Sequence, residues 1–527
     1  MGSLDFSGGL PLVVGVAGHR DIPAEAEGPL RARFAEVLRD IGRAYPNTPL
    51  CVLSPLAAGA DVLAAEVAFD SGIPVIATLP MPTEAFRTDF SAQEAARFDS
   101  AVARCAAVRV VGRGESREED YVEASMFLAY YSYVLVAFWD GDESGGPGGT
   151  ADLVRARLTG IASATNAGAI RQLDAGSVLQ IVAPRAGRPA PPDCYTIRRR
   201  YPARTGDGAA FEADLGLAAQ NVDRFNGDLR NEPGGDGSLS ALMQRVDRIA
   251  NGLQRKSQID VNVMFAFAFA AGLAQLAPLG PYTIAIRVGA LVLAFLAFQF
   301  ARRNDYQNRY QDYRATAEGL RVQTAWCDAG ICDEPVEASY LSMQQSELQW
   351  IRLALRTAYL ICHRVHDAGS PPDPALARAW IEDQRTFYAR AARRDADKLA
   401  AVERVTTVSL VGGMACLVVF GALLFFTKGD ARTQEWLAFL TTAPVTLAGL
   451  LALLLGAYAQ QRGYLENSHR YERMSAVFER ALEHLDELHD SLAAAQTIVR
   501  RLGREALAEH AYWLVLRRER PLRVIAS

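Results

Sequence analysis

PLVVGVAGHR, residues 11–20, is an apolar run of small and β-branched residues that breaks through two glycines into a histidine and an arginine. A run with no polar alternation reads as a strand buried on both faces, and Gly15 and Gly18 allow close approach to its end. Five further stretches repeat the pattern: LCVLSPLA (50–57), PVIATLP (74–80), AVRVV (107–111), VLVAFWDG (134–141) and SVLQIVAP (177–184). Helical segments lie between them: PLRARFAEVLRDIGRA (29–44), ADVLAAEVAFD (60–70), YVEASMFLAYYSY (121–133) and DLVRARLTGI (152–161). This alternation predicts a parallel α/β sheet with helices on both faces, whose ligands sit at the C-terminal ends of the strands.

Three of those strand ends carry the residues such a site needs. Gly15-Val-Ala-Gly18-His19-Arg20 places a planar guanidinium where it can hold a phosphate. Ser54-Pro-Leu-Ala-Ala-Gly59-Ala-Asp61 turns directly into a helix, so that backbone N–H groups and the positive helix end point to the same crevice. Gly145-Gly-Pro-Gly148-Gly149-Thr150-Ala-Asp152 opens another helix, with a hydroxyl that can join a phosphate. The candidate ligand-binding residues are therefore Gly18, His19, Arg20, Ser54, Gly59, Asp61, Gly148, Gly149, Thr150 and Asp152. Asp61 and Asp152 read equally as helix caps, and His19 as a structural imidazole. Tyr121, Tyr130 and Trp139 are either base-stacking residues or core.

The whole chain has 527 residues, half of them apolar, 22% charged and a net charge of −5. That balance excludes disorder, and it argues against a nucleic-acid polymer as partner, which calls for a basic surplus. Seven cysteines without a CxxC pair suit a reducing compartment. His363 and His366 have a helical spacing that can hold a metal, but no further ligand accompanies them, and a helix surface is the simpler reading. His484 and His489 point to different faces of one helix, and no Ser-His-Asp, HExxH or Walker A pattern occurs. No cofactor is expected. Met1–Gly9 lacks the basic and apolar regions of a signal peptide, which leaves the first domain in the cytoplasm.

Downstream the composition changes. Ile259–Ala277, Tyr282–Phe300, Val405–Phe426 and Trp436–Ala459 are long and almost uncharged, and each is close to the ~20 helical residues that cross a hydrocarbon core. Buried soluble helices are the alternative, chiefly for the first pair with Gln275 and Arg287; Arg287 stands where it can snorkel to the interface. Basic residues gather outside each hairpin: Arg255 and Lys256, Arg302 and Arg303, Arg393 and Arg394, Arg462 and Arg470. The turns Pro278–Pro281 and Thr427–Glu435 carry only Lys428 and Arg432, so both hairpins insert from the cytoplasm with both termini inside a multi-pass inner-membrane protein.

Helices are predicted over Asn304–Ala329, Val336–His366, Ala375–Arg404 running into the third span, Arg462–Ala494 and Ile498–Arg518. RNDYQNRYQDYRATAE after the second span echoes RGYLENSHRYERMSA after the fourth, with Tyr306 and Tyr313 in register with Tyr464 and Tyr471. The echo divides the chain into 1–230, 231–370 and 371–527: a cytoplasmic α/β domain and two hairpin units that form an all-α membrane domain with long cytoplasmic helices.

VVGVAGHR, LSPLAAGADVLAAEVAFDSGIPVIATLP and GGTADLV resemble the SLOG superfamily, the Rossmann-like group joining DNA-processing protein A to the LOG phosphoribohydrolases. The resemblance, over about residues 11–190, implies a domain that binds nucleotides or nucleotide-derived signals. In LOG enzymes the glycine motif ends GTxxE; here Gly149-Thr150 is followed at that position by Leu153, with Asp152 one place early, which favours a sensor over a hydrolase. YRATAEGLRVQTAW, YLSMQQSELQWIRLALR, WIEDQRTFYARAARRDADK and EALAEHAYWLVL are similar to the SLATT group of two-span effectors. Together they imply a nucleotide-gated, homo-oligomeric membrane effector of a bacterial conflict or antiphage system that opens a pore. The alternatives are a membrane-tethered phosphoribohydrolase or glycohydrolase using Asp61 or Asp152, and a passive membrane protein whose sheet binds nothing.

Overall fold

The computed structural model describes residues 5–143, 146–160, 174–202, 208–276, 282–331, 334–340, 348–366, 374–427, 429–488 and 491–518. Gly145, the turn 278–281, Lys428, His489 and the side chains of His363 and His366 lie outside the described residues.

The sheet has seven strands: β1 (Leu12–Gly18), β2 (Leu50–Ser54), β3 (Val75–Leu79), β4 (Ala107–Val110), β5 (Val134–Phe138), β6 (Val178–Ile181) and β7 (Ile197–Arg200). Their order is β4-β3-β2-β1-β5-β6-β7; the first six are parallel and β7 is antiparallel to β6. The α/β expectation therefore holds for every strand read from the sequence. β7 lies beyond that reading, because IRRR is a charged, largely exposed stretch without strand alternation. β1, β2, β3 and β5 are buried along nearly their whole length, so helices cover both faces.

The covering helices are α1 (Ala24–Ala44), α2 (Ala60–Asp70), α3 (Thr83–Arg87), α4 (Ala92–Arg104), α5 (Arg117–Tyr131), α6 (Thr150–Thr159) and α7 (Gly208–Arg230). α4 opens with a reciprocal cap between Ser91 and Glu94, and the Ser116 side chain accepts from the Glu119 N–H at the start of α5. β1 lies centrally, with β2 on one side and β5 on the other. Strand order reverses between β1 and β5, which is where a crevice opens in folds of this kind.

Eight α-helices follow among the described residues: α8 (Leu239–Leu276), α9 (Thr283–Arg303), α10 (Tyr306–Asp328), α11 (Gln349–His366), α12 (Pro374–Phe426), α13 (Ala431–Arg462), α14 (Tyr464–Glu487) and α15 (Leu492–Arg518). Four of them contain stretches long and apolar enough to cross a membrane. They are built for it: Val408, Val411, Val418 and Phe425 face outward, as do Ile284, Leu291 and Phe295. Where α12 and α13 meet, a Cβ on Gly413 would lie 3.0 Å from that of Ala448, so the small residue sets the closeness of the pair. Arg287 binds the C-terminal end of α8, donating to the carbonyls of Ala274 and Gln275.

Two expected helices are divided. Val336–His366 is a short 3-10 turn at Val336–Ala338 followed by α11, and the reach from Arg462 to Ala494 is broken at both ends. Gly463 is left-handed (φ +66°) and ends α13, while α14 stops at Glu487 before α15 begins. Asp305 (φ +50°) stands in the same way between α9 and α10. Tyr306 and Tyr464, the aligned tyrosines of the internal echo, thus each open a helix just after a left-handed residue that closes a span.

Packing groups the chain into two units. One takes the described residues of Met1–Ile249, Ala315–Cys327 and Cys332–Pro371; the other takes Ala250–Arg314, Asp328–Ile331 and Pro372–Ser527. In the first, α11 packs on α7 and α5 and is anchored by Arg356, which donates to the Tyr130 carbonyl (2.9 Å), Glu337 (3.1 Å) and Asp174 (3.2 Å).

Candidate functional site

A cavity of about 470 Å³ opens at the C-terminal ends of β1 and β5. Gly18, His19 and Arg20 line it from β1, Ala57 and Asp61 from the β2 turn, and Gly148, Gly149 and Thr150 from the start of α6. Three stretches far apart in the chain therefore border one space, on the side of the sheet where strand order reverses.

The glycines explain how the turns come together. Gly59 is left-handed (φ +81°), and a Cβ there would collide with the Arg20 carbonyl oxygen and stand 2.6 Å from that of His19. The contact is sealed by the Ala60 N–H, which donates to the His19 carbonyl at 3.0 Å. Gly148 (φ +72°) has the same role against α5, where a Cβ would stand 2.8 Å from the backbone of Tyr121 and Val122. Glycine serves chain-to-chain approach at both places.

Arg20 is exposed at the rim, its guanidinium 5.1 Å from the Tyr121 ring centroid. Among the described residues no carboxylate stands within ion-pair distance of it, whereas Arg185, the other cation lining the cavity, is paired with Asp21 at 3.1 Å. Asp61 lies opposite in character: 4% exposed, with Oδ1 lacking a hydrogen-bond partner. Burial pushes its carboxyl up to about 8, against the pull of Arg20 and of the Ala57 and Gly18 amides. At neutral pH it is largely a proton donor. His19 is buried and meets Asp140 twice at Nε2, through the backbone N–H (3.1 Å) and through Oδ1 (3.0 Å). Burial lowers its pKa, with Asp140 opposing, so the neutral ring accepting from the amide is favoured near pH 7.

Other expected residues are placed differently. Ser54 is fully buried and outside the lining: its hydroxyl donates to the Asp61 carbonyl and accepts from the Leu56 N–H, which holds Leu56 at φ +55°. Gly59 is not among the residues that line the cavity. Asp152 accepts from the Gly148 N–H (3.0 Å) and from Arg155 (2.9 Å), so it closes the glycine turn as a cap. Tyr130 is in the core and donates to Glu337. Trp139 lines the cavity, but Arg200 covers its ring at 5.1 Å and its Nε1–H is spent on the Asp142 carbonyl. Of the three, Tyr121 is half-buried and on the lining, with its hydroxyl donating to Asp89 and Arg20 beside its ring.

The rest of the wall is not recognisable in the sequence. Phe86 comes from the short α3, and Ser125, whose hydroxyl donates to the Gly148 carbonyl at 2.6 Å, comes from the middle of α5. Neither has a local signature. Among the described residues no cluster of His, Cys, Asp and Glu is arranged to hold a metal ion. No protein-family model matches the chain, and neither does any curated protein.

Proposed function

We propose that the protein is a nucleotide-signal-gated membrane effector, with a SLOG-type sensor in the sheet unit and tandem SLATT-like hairpins in the helical unit. In this reading it assembles as a homo-oligomer in the inner membrane of a bacterium, both termini cytoplasmic, and ligand binding opens or forms a pore in conflict or antiphage defence. The observation carrying the reading is the meeting, in one cavity at the strand-order reversal, of the amino end of α6 and an arginine that has no carboxylate partner among the described residues. A phosphate satisfies both: the guanidinium gives a planar fork, and the first N–H groups of α6 have no partner within their own helix. The cavity also has the size of small-ligand sites, about 300–1,000 Å³, and Tyr121 offers a ring beside the cation.

Gating needs no covalent chemistry. A signal that binds the open assembly about 2.7 kcal/mol more tightly than the closed one shifts the equilibrium a hundredfold. The full chain in liposomes is expected to release an entrapped dye on addition of one member of a panel of cyclic dinucleotides, cyclic oligonucleotides and ADP-ribose derivatives. Arg20→Ala should raise the concentration needed by about 10- to 100-fold, the worth of charge-assisted hydrogen bonds. A dose response unchanged by Arg20→Ala removes the crevice as sensor.

One observation favours a second reading. The buried, protonated Asp61 carboxyl is the kind of group that serves as a general acid in base release, which supports a tethered phosphoribohydrolase or glycohydrolase. Free base released from nucleoside monophosphates or NAD, and lost in Asp61→Asn, would establish it.

A further inference from the structure

The helical unit holds a second cavity, a cleft of about 310 Å³ formed by α8, α10, α12, α14, α15 and the end of α13. Its charges are unbalanced: Arg394, Lys398, Arg462 and Arg517 line it against the single carboxylate Asp395. That carboxylate is taken by Arg394 at 3.0 Å. Lys398 and Arg462 have no carboxylate within ion-pair distance among the described residues and lie instead 5.6 and 6.0 Å from the ring centroid of Tyr464. Arg517 is fixed by donating to the last carbonyls of α13, Gln461 at 2.8 Å and Arg462 at 2.6 Å.

The place of the cleft is as informative as its charge. Lys398 precedes the apolar stretch that begins at Val405 by about 10 Å of helix, and Arg462 follows the one ending at Ala459 by about 5 Å, at ~1.5 Å per residue. Arg462 thus falls within the headgroup layer, which adds about 5–7 Å on each side of the hydrocarbon core, and Lys398 starts just outside it, where its long flexible stem lets the ammonium reach in. Gln254 and Gln258 reach the cleft from the polar side of α8's apolar stretch, and Asn262 accepts from the Tyr458 hydroxyl at 3.0 Å just beyond them. Outside this level the helices present Val408 and Val411, a surface for acyl chains.

We propose that this cleft binds the phosphodiester headgroup of an anionic glycerophospholipid, held by Lys398 and Arg462 over a floor made by Arg517. A net positive cleft with aromatic and amide walls at headgroup depth is matched by a phosphate whose acyl chains run along the helices. A zwitterionic lipid is disfavoured, because its ammonium group would meet Lys398 and Arg394. The site stands whether or not the crevice of the sheet unit takes a nucleotide.

The test uses the detergent-solubilised full chain, following its thermal midpoint during titration with phosphatidylglycerol, phosphatidylcholine or soluble glycerol 3-phosphate. Phosphatidylglycerol is expected to raise the midpoint saturably and the other two to leave it unmoved. The double variant Lys398→Gln, Arg462→Gln should need about 30-fold more phosphatidylglycerol, from ~1 kcal/mol for each cation. Lys398→Arg should behave as wild type, which guards against a folding defect, and Arg302→Gln, Arg303→Gln should too, since those cations flank a span outside the cleft. An equal loss in the Arg302 and Arg303 variant overturns the proposal in favour of diffuse surface attraction. Equal protection by glycerol 3-phosphate overturns the lipid as source, and an undiminished response in the cleft variant overturns the site.

Discussion

Asp61 is a carboxyl whose titration reports both on the fold and on the ligand. Burial raises it to about 8, so between pH 4 and 8 the folded chain keeps a proton that the unfolded chain gives up. Stability from this group is complete below the unfolded value of about 4 and is lost as the pH rises to the folded one. Wild type should therefore melt at falling temperature from pH 5 to pH 8, and Asp61→Asn should flatten that slope; a parallel slope in the variant would show that Asp61 is not its source. The same proton governs an anion in the cavity, because ionised Asp61 repels it. Calorimetry at pH 7 and pH 9 should find phosphate ligands bound more weakly at the higher pH, and Asp61→Asn indifferent. Gly59 is a different kind of residue, bound by geometry. With φ at +81° and the His19 oxygen 2.6 Å from where a Cβ would stand, Gly59→Ala strains the backbone and drives β1's loop away. It should cost about 2 kcal/mol or more, read as a lower melting temperature, and should weaken ligand binding with it.

Elements are legible in proportion to how far their pattern is local. β1 through β6 announce themselves as apolar runs, and α2 begins at Ala60 because Gly59 and the Ser54 turn dictate its start. β7 does not announce itself, since an exposed edge strand of arginines takes its shape from pairing with β6. The same limit governs the site. The three glycine turns can be read, yet Ser54 turns inward to hold the loop at Leu56 and Asp61, Asp152 closes the glycine turn, and Tyr130 is claimed by Glu337 from 207 residues away. That long-range cluster tests what holds α11. Arg356 and Glu337 are both buried, and Arg356→Met leaves Glu337 as an unpaired buried charge at a cost of about 3–5 kcal/mol. Tryptophan fluorescence during denaturation should show the loss, and adding Glu337→Leu should restore most of it. If the double variant is no better than the single, the penalty came from lost packing and not from the orphaned carboxylate.

At the scale of the whole molecule, the cavity of the sheet and the apolar helices belong to separate compact units. The apolar stretches of α8, α9, α12 and α13 bear most of their arginines and lysines at the same ends, Lys256 and Arg302 for the first pair, Arg394 and Arg462 for the second, against Arg287, Lys428 and Arg432 at the turns. The positive-inside rule predicts that those ends face the cytoplasm, where the proposed nucleotide signal would be made and where the crevice must lie to meet it. The proposed function accordingly requires one topology and forbids the other. In intact cells a membrane-impermeant maleimide should label Gly429→Cys, in the short turn between α12 and α13, and should label Arg393→Cys only after permeabilisation. Both positions are exposed, so access to the reagent depends on the side of the membrane alone. The reverse pattern would put the cavity of the sheet unit outside the cell, beyond the reach of any intracellular nucleotide, and gating by such a signal would then be physically impossible whatever the affinity of Arg20 for phosphate.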